Sequence, residues 1–101
     1  MSITIKDLLL EKYNNFITFI KDKIPDEQKP KFDLYKNLPV EVIINFIRYQ
    51  IYPFKDDIGL IIIRIASDNQ VSIENLSSDD KTKIGKYIQF FCDILIRIDK
   101  N

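Results

Sequence analysis

Residues 56–74, DDIGLIIIRIASDNQVSIE, decide the fold class of this chain. Two readings compete for them. Ile58, Ile61, Ile62 and Ile65 fall at i, i+3, i+4 and i+7, one face of a helix that Asp56 or Asp57 could cap. The same stretch from Leu60 to Ala66 is rich in β-branched residues. The turn-forming Ser67-Asp68-Asn69-Gln70 then leads into the alternating Val71-Ser72-Ile73-Glu74, the pattern of a β-hairpin. Two strands alone are marginally stable, and no other segment supplies a third. The helix, over about 56–67, is preferred, and the chain is expected to be all-α.

The segments on either side agree with that expectation. Thr4 followed by Asp7 forms a capping-box pattern, after which Ile5, Leu9, Tyr13, Phe16, Ile17, Ile20 and Ile24 recur at helical spacing. Pro25 pushes its predecessor out of the helical region, so a first helix spans 5–24. The proline-containing connector 25–37 carries Phe32, Leu34 and Tyr35, enough to pin a short extra turn near 32–36 to the core. Leu38-Pro39 opens a second helix, with proline in the first turn where its missing N–H costs nothing, and Pro53 closes it, giving 38–52. Ser77 with Asp80 repeats the capping box. Ile84, Tyr87, Ile88, Phe91, Ile94, Leu95 and Ile98 then form the apolar stripe of a last helix over 79–98. The expected architecture is a bundle of four main helices in one domain, residues 1–101.

Fifteen Lys and Arg balance fifteen Asp and Glu, and twelve of the fifteen cations are lysines. A neutral chain lacks the general positive field that nucleic acids and anionic membranes attract, and lysine lacks the bidentate fork with which arginine reads bases. Nucleic acid is therefore disfavoured as a partner, except locally through Lys81, Lys83 and Lys86. Uncharged apolar runs such as Ile58–Ile63 are too short to cross a bilayer, which takes roughly 20 residues, so no membrane insertion is expected. Cys92 is the only cysteine, and no secretory signal is apparent at the N-terminus, so a reducing cytoplasm or nucleus is the expected compartment. Twenty isoleucines beside many lysines and asparagines point to an AT-rich genome, that of a parasite, a low-GC microbe or a large virus.

Residue chemistry argues against an enzyme. With no histidine, the commonest general base and the commonest neutral metal ligand are both missing. Cys92 lies mid-helix among apolar residues, the place of a small core hydrophobe rather than of a nucleophile. Asp68, Gln70, Ser72, Glu74 and Asp79 match alternate places of a calcium loop, but Ile73 stands where that loop needs glycine. Catalytic residues, cofactor and metal are all expected to be none.

Residues 37–52, NLPVEVIINFIRYQIY, resemble the opening helix of an F-box. Leu38, Pro39, Glu41, Val42, Ile43 and Ile47 fit that family's Leu-Pro-x-Glu start and its aliphatic positions, with Tyr49 near the aromatic place. The chain departs from the family in having no tryptophan and in carrying a long helix ahead of the motif. The resemblance implies an adaptor that docks on a Skp-type ubiquitin-ligase linker through Leu38, Pro39 and nearby aliphatics such as Ile47.

The patterning also leaves apolar residues off the principal stripes, namely Leu10, Phe19, Ile44, Phe90 and Ile96. Surplus apolar surface of this kind marks protein interfaces. The expected function is a non-enzymatic protein–protein interaction module, an adaptor or an assembly subunit, with another protein or a second copy of the chain as its partner. The candidate interface comprises Leu10, Phe19, Leu38, Pro39, Ile44, Ile47, Phe90 and Ile96.

Overall fold

Thr4 opens the first helix through its hydroxyl, which accepts the Asp7 N–H at 3.0 Å. The computed structural model describes residues 4–32, 38–73 and 76–100, and every regular element among them is helical. Helix α1 spans Ile5–Lys21. A 3-10 turn, Asp26–Gln28, runs into the single-turn α2, Lys29–Phe32. Helix α3, Val40–Phe46, continues as a π-helical turn, Ile47–Ile51, and a 3-10 turn, Tyr52–Phe54. Helices α4, Ile58–Asn69, and α5, Ser78–Lys100, complete the order.

The stretch that left the fold class open is helical over Ile58–Asn69. The Asp57 carboxylate accepts the Leu60 N–H at 3.0 Å, so α4 starts at Ile58, two residues later than expected. At its far end Gln70 takes a left-handed conformation, φ 55°, and Val71 N–H reaches back to Ala66 C=O. Those bonds satisfy the last carbonyls and turn the chain out of the helix. Val71, which the competing hairpin reading placed in a second strand, is buried in the core instead.

Other expected boundaries move for local reasons. Helix α1 stops at Lys21 rather than 24, because the chain tightens before Pro25 into 3-10-type bonds, Lys23 N–H to Ile20 C=O and Ile24 N–H to Lys21 C=O. Ile24 still reaches the core. Short helical turns cover 26–32, with Phe32 buried; the turn expected near 32–36, with Leu34 and Tyr35, lies from 33 onward outside the described residues. Pro53 does not end its helical run. A proline ring would clash with the carbonyl four residues back in a regular α-helix. Here the helix widens one turn earlier, Tyr52 N–H bonding Ile47 C=O, and Pro53 fits in the following 3-10 turn.

Helices α1 and α5 run antiparallel, since Lys23 meets Asp80, Phe16 meets Tyr87 and Phe91, and Lys12 meets Phe90. Phe16 touches Phe91 edge to face, with centroids 5.4 Å apart. Helix α3 lies across this pair: Phe46 meets Tyr13 edge-on at 6.0 Å, and Ile43, Ile47 and Ile51 are sealed inside. The opening of α4 packs on α5 where Gly85 leaves room for Ile58; a Cβ added there would lie 3.0 Å from Ile58 Cδ1. The buried residues form one apolar cluster, and none of those described is polar or charged.

Candidate functional site

Lys12, Phe16 and Phe19 recur along α1 at i, i+4 and i+7, one stripe of the helix, and Lys23 follows four residues later, just past its end. Lys83, Lys86, Tyr87 and Phe90 do the same on α5 at i, i+3, i+4 and i+7. Antiparallel packing sets the stripes side by side. Phe16 sinks completely and becomes the seam's foundation, while Phe19, Tyr87 and Phe90 stay half-buried above it. Tyr87 leans on Phe16 at 5.4 Å and on Phe19 at 6.3 Å. The result is a shallow groove lined by Lys12, Lys83, Lys86, Tyr87 and Phe90.

The lysines around it are held by aromatic rings. Lys12 Nζ lies 5.7 Å from the centre of the Phe90 ring, and Lys83 Nζ and Lys23 Nζ lie 4.8 and 5.5 Å from that of Phe19. Each such contact is worth about 0.5–1 kcal/mol where solvent reaches it. Lys23 is also neutralised by Asp80 at 3.2 Å. Lys12, Lys83 and Lys86 have no carboxylate partner among the described residues. The groove thus joins apolar rings to three positive charges that form no ion pair among the described residues.

A second concavity lies between the π-helical turn and the end of α5, lined by Arg48, Tyr52, Leu95, Ile96, Asp99 and Lys100. Arg48 pairs with Asp99 there, so its charges are partly cancelled internally. On another part of α5, burial pushes the Cys92 thiol up from its ordinary value, and the thiol has no activating base.

The residues singled out in the sequence separate into three groups. Phe19 and Phe90 come together at the α1–α5 groove. Leu10 and Leu38 are half-buried against the core, while Pro39, at the start of α3, and Ile96, beside the second concavity, are exposed. Ile44 and Ile47 are interior, with 8% and 1% of their surface left to solvent, because α3 and its π turn are covered by α1 and α5. They cannot serve as an interface in this conformation. Sequence patterning missed Lys12 and Tyr87, which join the site only through packing. It also missed the exposed Val42, Tyr49, Leu60 and Ile63. Val42 and Tyr49 are seven residues apart on the back of the buried Ile43 and Ile47 stripe, a signal that could have found them.

Comparison with protein-family models, curated proteins and solved structures finds no match to this chain. Among the described residues no helix is long and apolar enough to cross a membrane.

Proposed function

We propose that the chain is a non-enzymatic protein-binding module that takes its partner in the groove between α1 and α5. The observation that carries this is the meeting of Phe19, Tyr87 and Phe90, half-buried, with Lys12, Lys83 and Lys86, which have no ion-pair partner among the described residues, along one seam. Half-buried aromatic rings are what protein interfaces concentrate at their centres, with polar and charged groups at the rim. At about 260 Å³ and open to solvent, the groove lies below the roughly 300–1,000 Å³ usual for pockets that enclose a drug-sized molecule. A second copy docking symmetrically would set lysine against lysine, so a different protein is favoured over self-association through this face.

Selection of a random peptide library on the folded chain tests the proposal, with Phe90→Ser as the counter-target after its melting curve shows it folded. Convergent peptides that prefer the wild-type groove and shift amide signals of Lys12, Lys83, Lys86 and Phe90 in NMR spectra support it. A selection without convergence, or convergent peptides that map elsewhere, overturns it.

A further inference from the structure

We infer that the groove's occupant is an acidic segment of a partner protein, a short run of Asp and Glu carrying an apolar side chain. This rests on the reading of the groove as a protein-binding surface. The chain has no net charge, so three lysines on one groove without carboxylate partners among the described residues are a local imbalance rather than part of a general positive surface. Lys12 and Lys83 are laid over aromatic rings, where their ammonium groups lose part of their water and gain only the weak attraction of a π face. A carboxylate brought to such a group forms a charge-assisted hydrogen bond and relieves the repulsion among the three cations. Between them Tyr87 and Phe90 offer apolar surface for one side chain.

The same features disfavour nucleic acid. The positive strip on the groove side of α5 is short, running from Lys83 to Lys86; Lys81 lies two residues earlier, about 200° round the helix. Exposed Asp79 lies four residues before it, and exposed Asp93 lies three residues beyond Phe90. A phosphate backbone continuing along the helix would pass these carboxylates and be repelled, whereas a short peptide ends before them. Lys23, over the Phe19 ring, is already neutralised by Asp80.

The test is fluorescence anisotropy with labelled synthetic peptides that share one Phe and Leu pattern and differ in the intervening residues, which are all Glu, all Gln or all Lys. A thymidine oligonucleotide serves as the non-protein polyanion. The Glu peptide is expected to bind in low salt, the Gln peptide roughly tenfold more weakly, and the Lys peptide not at all. Replacing Lys12, Lys83 and Lys86 together by Glu, with an unchanged circular dichroism spectrum, is expected to reverse the preference towards the Lys peptide. Equal binding of the Glu and Gln peptides at the groove overturns the acidic partner and leaves the protein-binding reading standing. Binding of the oligonucleotide with no peptide bound overturns both, as does failure of every probe.

Discussion

Phe16 of α1 meets Phe91 of α5 edge to face, with ring centroids 5.4 Å apart and planes at 81°, and neither ring has any surface left to solvent. This contact fastens together the two longest helices and fixes the antiparallel register that creates the groove above it. Tyr87 packs over the same Phe16 ring, so the groove's floor and the core share one residue.

Phe16→Ala is expected to destabilise the fold by about 3–5 kcal/mol, the cost of emptying a rigid aromatic site. Urea unfolding followed by far-UV circular dichroism measures it. A double-mutant cycle with Phe91→Leu is expected to show about 0.5–1.5 kcal/mol of coupling from the edge-to-face geometry.

The start of α5 is held by a reciprocal pair, Asp80 N–H to Ser77 Oγ at 3.1 Å and Ser77 N–H to the Asp80 carboxylate at 3.0 Å. Ser77→Ala is expected to cost about 1 kcal/mol in the same urea assay, and Ser77→Gly only a few tenths.

Asp80 also gives the fold an acid limit. The Ser77 N–H, and then Lys23, hold its carboxyl below the ordinary value near 3.8 in the folded chain, and Lys29 does the same for Asp26. On acidification the unfolded chain takes up these protons first, so the contribution is complete above that value and is lost as pH falls through the lower folded-state values. Stability is expected to decline below about pH 4, with a shallower decline in Asp80→Asn, as read from urea midpoints across an acid series.

Gln70 occupies the left-handed region at the end of α4, φ 55°, where a Cβ is crowded. Its side chain is exposed, and the contact it gives to Lys31 comes from its backbone carbonyl at 3.3 Å. Gln70→Gly is therefore expected to stabilise the protein by about 0.5–1 kcal/mol, and Gln70→Val to destabilise it, both visible as opposite shifts in melting temperature.

Cys92 is 6% exposed and its thiol is pushed up by burial. Its reaction with a chromogenic disulfide reagent at mildly alkaline pH is expected to be at least about a hundredfold slower in the folded chain than in urea. Rapid labelling of the native protein would mean that α5 opens on that side.

How much of this was written in the residues can be judged element by element. The 3.6-residue recurrence of Ile, Leu and Phe fixed α1 and α5 to within a few positions, because a stripe that must be buried and a capping box that must be satisfied are both local demands. Asp57 and Ser77 likewise mark their helix starts through bonds only three residues long. The widened turn at 47–51 was not legible. Proline rules say that a regular helix cannot continue into Pro53, but not that a π turn will absorb the conflict. Nor was the site fully legible. Phe19 and Phe90 stood out as surplus apolar residues, yet Ile44, chosen on the same grounds, lies in the core, as does Ile47, which the F-box resemblance nominated, because whether such a residue is covered depends on which helix crosses above it.

Helicity, charge balance and the lack of imidazole chemistry follow from amino-acid order and composition alone, since each is a property of single residues or near neighbours. The joining of Lys12 to Phe90 and of Lys83 to Phe19 was decided only by tertiary structure. Residues more than sixty positions apart meet when two helices settle into one antiparallel register. That register is set by the fit of Phe16 against Tyr87 and Phe91, a matter of shape that no periodicity records.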